Sequence, residues 1–141
     1  MPNREDYVSM SLRQFVMERA NEKCEYCLIH EDDTYIGCEI DHIISIKHGG
    51  KTDEHNLAYA CLPCNRHKGS DLGTLSERQE FTRFFNPRTD IWNEHFIIVG
   101  SNILPKTEIA EATIKILRFN SDSRVEERNS LQLIGRYPIE S

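Results

Sequence analysis

The sequence predicts an α+β domain, and three observations carry that expectation. Apolar residues recur at helical spacing behind capping signals, β-branched runs are short, and two Cys-x-x-Cys pairs bracket the strand-forming stretch. A length of 141 residues suffices for one modest core and not for two, so a single domain over 1–141 is expected.

The elements follow in chain order. Ser11-Leu-Arg-Gln14 has the form of a capping box, and Leu12, Phe15, Val16 and Ala20 keep helical spacing, which predicts a helix over 12–20 ended by Asn21. An acidic loop at 30–34 leads into Cys38-Glu-Ile-Asp-His-Ile-Ile44, short and β-branched enough to be a strand. His48-Gly-Gly50 opens a loop, Leu57–Ala60 is a second strand, and 65–69 opens a helix that stops near Gly69. Thr74-Leu-Ser-Glu77 resembles another capping box and, with Phe81, Phe84 and Phe85, predicts a helix over 76–85 broken by Asn86-Pro87. Phe96–Val99 reads as a buried strand. Residues 107–119 read as a helix, and Ser123-Arg-Val-Glu126 caps a last helix running towards Gly135. The region 12–70 is thus expected to form a core, with 71–141 an extension of helices and a short strand packed on it.

Seventeen basic against twenty-three acidic residues give a net charge of −6, which argues against a broad basic surface. The charge is uneven. Residues 1–40 carry net −5, whereas 41–69 carry net +1 and four of the six histidines. The charged N-terminus lacks the apolar stretch of a signal peptide. Apolar runs such as Phe96–Val99 are far short of the ~20 residues a spanning helix needs. The cytoplasm is the expected compartment, without membrane contact, and there cysteines point to metal or catalysis before disulfides.

Cys24-x-x-Cys27 and Cys61-x-x-Cys64 have the spacing of two zinc knuckles. Each turn offers two thiolates, and together they complete the tetrahedral shell of a structural zinc with no position left for water. Cys38 is left over and is expected to pack in its strand as a small hydrophobe. Between the knuckles lies a clamped segment that holds Asp41-His42, His48-Gly-Gly50 and Asn56.

Asp41-His-Ile-Ile44, Gly49-Gly50, Asn56-Leu57 and Cys61-Leu-Pro-Cys-Asn-Arg-His-Lys-Gly69, in that order, resemble the HNH endonuclease family and its four-cysteine subset. The resemblance covers residues 12–70. Phe84-Phe-Asn-Pro87, Trp92 and Gly135-Arg-Tyr-Pro138 are also similar to the tail of some bacterial members. It implies a ββα-metal (His-Me finger) core flanked by helices, and metal-dependent hydrolysis of DNA phosphodiesters by nicking or double-strand cleavage. Such hydrolysis needs a deprotonated water, a cation on the phosphate and help for the leaving oxygen. His42, able to accept a proton near neutral pH, is the candidate general base. The resemblance makes Asp41 a ligand of the catalytic ion. Adjacent strand residues face opposite ways, so Asp41 and His42 are expected to need a twisted or bulged strand to share one site. Asn56 matches the middle Asn of the motif and is expected to bond the loop and orient His42.

Asn65 takes the third motif position, where other members have His, and would be the second metal ligand. Oxygen donors suit Mg²⁺ or Mn²⁺. The further His of transition-metal-binding members is Gly69 here. Lys47, Lys51, Arg66, His67 and Lys68 are the candidate phosphate contacts. With no separate recognition segment evident, a protein partner could supply specificity. The alternative reading is a non-catalytic, zinc-stabilised module for binding nucleic acid or protein.

Overall fold

Every residue of the strand Leu57–Cys61 is buried, and the remaining elements are arranged about it. The computed structural model describes residues 6–139. Strand β1 (Cys38–His42) pairs antiparallel with β2 (Leu57–Cys61) in an unbroken register from Cys38 opposite Cys61 to His42 opposite Leu57. Helix α2 (Leu62–Lys68) starts directly after β2, with Pro63 in its first turn, where a missing N–H costs nothing. Helix α1 (Met10–Arg19), capped by the Ser9 hydroxyl rather than by Ser11, packs Val16 and Ala20 against Leu57 and Tyr59 on the other side. In the β1–β2 connection, a Cβ on Gly50 would lie 1.7 Å from the Ile44 carbonyl oxygen, so only glycine closes that turn.

The extension contains more strand than expected. Instead of a helix over 76–85 there is a hairpin, β3 (Gly73–Leu75) against β4 (Phe81–Arg83). The Ser76 hydroxyl accepts from the backbone N–H groups of Arg78 and Glu80, making a turn where a capping box was expected. Phe81, Thr82 and Arg83 then alternate outward, inward and outward, a two-residue period that the three phenylalanines concealed. A four-residue helix α3 (Trp92–His95) precedes a second hairpin, β5 (Phe96–Val99) with β6 (Asn102–Pro105). Helix α4 (Glu108–Leu117) is capped by Thr107, and α5 (Asp122–Leu133) starts after Ser121, not Ser123.

Phe84, Phe85, Phe96, Ile103, Ala110, Leu117 and Phe119 share one core cluster with the four knuckle cysteines. The extension also grips the first knuckle directly. Trp92 Nε1 donates to the Tyr26 carbonyl at 2.8 Å, the Tyr137 hydroxyl to the Cys27 carbonyl at 2.7 Å, and Arg88 pairs with Glu25. Among the described residues no helix is long and apolar enough to cross a membrane.

Candidate metal centre and cleft

Two sites flank the β1–β2–α2 unit. The first is the cysteine cluster. Cys24 and Cys27 come from the turn after α1, while Cys61 ends β2 and Cys64 lies in the first turn of α2. All four are buried and their sulfurs lie within 4.8 Å of one another, with Cys27 and Cys61 at 3.6 Å. Tetrahedral bonds of ~2.3 Å would set sulfurs about 3.8 Å apart, so the four cysteines are positioned to bind a metal ion. Burial raises the Cys24 and Cys64 thiols above their ordinary range. Cys27 is held below it, by hydrogen bonds from the other three thiols and then by the charge of Arg124. Cys38 stays outside the cluster, half-buried, with burial pushing its thiol up.

The second site is a cleft of about 360 Å³ lined by Asp41, His42, Ser45, Asn65 and Arg66 among others. Of the twist or bulge expected in β1, the unbroken register excludes the bulge. His42 is the last residue of β1, where the chain leaves the ladder, so a regular strand end serves both side chains. Asp41 is only 4% exposed, and its Oδ2 accepts from the Tyr26 hydroxyl at 2.8 Å. Lys68 Nζ lies 3.2 Å from both Asp41 oxygens and donates to the His42 carbonyl at 3.0 Å. Burial raises the Asp41 carboxyl above its ordinary value, against the opposing pull of Lys68, Tyr26 and His42. His42 Nε2 lies 2.8 Å from Thr52 Oγ1. If that nitrogen carries the proton, Nδ1 is the free acceptor. Asn65 Nδ2 donates to Glu39 Oε2 at 2.9 Å, which leaves the amide oxygen available.

One expectation changes here. Lys68 is no exposed phosphate clamp: at 2% exposure it is the buried counter-ion of Asp41, because α2 lays its last turn across β1. Asn56 bonds the loop that follows β1, as expected. Its side chain accepts from Ile44 N–H and donates to the Ile44 and Lys51 carbonyls, bracing the loop. Thr52 contacts the His42 ring.

Lys47, Lys51 and Arg66 are exposed, and His67 is half-exposed. Burial, and then the charges of Arg118, Arg124 and Arg66, lower the His67 imidazole. Arg118, the left-handed C-cap of α4, thus acts on His67 through its charge.

Sequence reasoning missed Tyr26, Glu39, Thr52, Arg118 and Arg124. Strand alternation, which places Glu39 on the same face of β1 as Asp41, could have found Glu39. No local signal marks the other four.

The Asp41–Lys68 pair makes a stability prediction. Removing one partner of a buried pair strands the other charge, at a cost of ~3–5 kcal/mol. Lys68→Met is expected to lower stability by that order in urea unfolding, and adding Asp41→Asn to restore most of it. A loss below about 1 kcal/mol, the range of exposed pairs, would mean the pair is solvated in solution.

Residues 24–71, about a third of the chain, match the family model described as HNH endonuclease. No curated protein and no solved structure matches the chain.

Proposed function

We propose, on the premise that residues 24–71 form an HNH-type site, that this protein is a metal-dependent endonuclease acting on DNA. The observation that carries the reading is the single cleft lined by His42, Asp41 and Asn65 on a strand–strand–helix unit. That arrangement supports a ββα-metal core. His42, positioned by Thr52 through Nε2, takes the proton of the attacking water at Nδ1. Asp41 and Asn65 would hold a divalent ion such as Mg²⁺ or Mn²⁺ through their oxygens. When bound, the ion supplies a Lewis acid for the phosphate and charge stabilisation for the leaving oxygen. Tyr26 and Lys68 fix the Asp41 carboxylate from behind, and a carboxylate with about four lone-pair sites keeps room for one ion.

The cysteine cluster takes a structural zinc, since four sulfurs leave no open position. Arg66 in the cleft lining, with Lys47 and Lys51 on the loop and His67 further along α2, offers contacts to backbone phosphates. The small size of this patch on a chain of net charge −6 favours a protein partner that supplies specificity.

Incubation of supercoiled plasmid with Mg²⁺ or Mn²⁺ tests the reading. Nicked or linear product that disappears with chelator is expected, with 5′-phosphate and 3′-hydroxyl ends. DNA binding without cleavage at any metal concentration would leave a binding module in place of the enzyme.

A further inference from the structure

Arg124 lies on α5, outside the family-matched segment, yet its side chain ends inside the cysteine cluster. It is 7% exposed. Nη2 lies 3.0 Å from Cys27 Sγ and 3.6 Å from Cys61 Sγ, and Nη1 lies 3.9 Å from Cys64 Sγ. On the outer side, Nε donates to Glu127 Oε1 at 3.3 Å, one helical turn further along α5. The planar guanidinium is therefore held at both edges, with one fork turned to sulfur.

The electrostatics explain why a cation belongs there. Four thiolates around a divalent ion leave a net charge of −2, in surroundings where all four cysteines are buried. An isolated charge in such a place is strongly disfavoured unless paired and hydrogen-bonded. Arg124 is the one side-chain cation whose hydrogen bonds reach these sulfurs among the described residues. A groove of about 430 Å³, between the 32–37 loop and α5, is lined by both Cys61 and Arg124, so the guanidinium stands where solvent approaches the cluster.

We propose that Arg124 is the outer-sphere partner of the cysteine-bound metal: it donates N–H···S hydrogen bonds to the Cys27 and Cys61 thiolates, cancels half of the site's charge and slows metal loss. The inference rests on the reading of the cluster as a zinc site. N–H donors draw charge from sulfur, which lowers both its affinity for protons and its nucleophilicity. Without them, Cys61, which lines the groove, becomes easier to alkylate, and that event releases a ligand. The extension thereby sets how firmly the knuckles hold their ion, although it contributes no ligand of its own.

The test uses the full zinc-loaded chain with Arg124→Met and Arg124→Lys. Zinc transfer to a chromophoric chelator and alkylation by iodoacetamide are followed, with circular dichroism to monitor folding. Outer-sphere partners are typically worth ~10–100-fold in metal affinity, so Arg124→Met should surrender zinc about 10–100-fold faster while remaining helical. Arg124→Lys keeps the charge without the fork and should fall between. Arg124→Met that is folded, and as slow as wild type in both assays, overturns the inference alone. Wild type that purifies folded without zinc overturns it together with the zinc reading. If Arg124→Met does not fold, Arg124→Lys decides, with Co²⁺ in place of zinc. A shifted thiolate-to-cobalt absorption band and faster release support the role, whereas an unchanged band and rate overturn it.

Discussion

Cys64→Ser is expected to yield protein that does not reach a folded state, and this is the largest effect anticipated for any single substitution. Structural zinc contributes ~10–16 kcal/mol to folding, against a total stability of ~5–15 kcal/mol for a domain. The cluster is also the centre of the core. Its cysteines pack with Tyr26, Ile29, Ala60 and the phenylalanines of the extension in one cluster of buried residues. Losing the ion would therefore loosen both halves of the chain together. Elemental analysis of the wild type should find one zinc per chain. Circular dichroism of the variant, or of wild type after chelation, should show loss of ordered structure. Wild-type protein that is zinc-free yet cooperatively folded would falsify the four-cysteine assignment.

The second large effect is on chemistry. His42→Ala should retain zinc and the fold, because the imidazole is only part-buried and its hydrogen bond is to the side chain of Thr52. General-base catalysis is worth ~10²–10⁴-fold, and plasmid cleavage should fall by that order while DNA binding persists. Loss of cleavage with binding intact separates a catalytic role from a merely structural one. A purified variant that cuts at nearly the wild-type rate would remove His42 from the mechanism and leave the cleft without a base.

Much of the core was legible because its signals are local. The knuckle spacing, the short β-branched run Cys38–Ile44 and the helix expected over 65–69 lie close to one another in the chain, although the structure ends β1 at His42 and starts α2 already at Leu62. Each corresponds to an element whose form depends on neighbouring residues. The extension was harder to read for the same reason. In residues 74–85 a capping pattern and three aromatics satisfy helix and hairpin alike. The hairpin prevails through the Ser76 turn, and Gly73 lets the strands close: a Cβ there would lie 2.2 Å from the Thr82 carbonyl oxygen. Within the cleft, residue types on β1 and α2 were readable but their partners were not. Lys68 looked like a solvated cation because nothing in the sequence says that α2 turns it onto a buried carboxylate 27 positions earlier. Thr52 and Arg124 act through contacts across loops and between distant segments, where composition carries no information.

The side chains by which the extension holds the first knuckle have a consequence for how this chain can vary. Trp92, Tyr137 and Arg124 add hydrogen bonds to the Cys24–Cys27 turn from outside segment 24–71, beside those the turn makes with Ile29, Tyr59 and Cys61. Segment 24–71 is thus a hub whose spokes are drawn from elsewhere in the chain, and it is not a cassette that could be lifted into an unrelated host with its geometry intact. Transplanting the site means carrying its scaffold along. Conversely, divergence among chains that share such a segment is constrained wherever a distant aromatic or arginine must reach back to it, and is free on the solvent faces between those anchors.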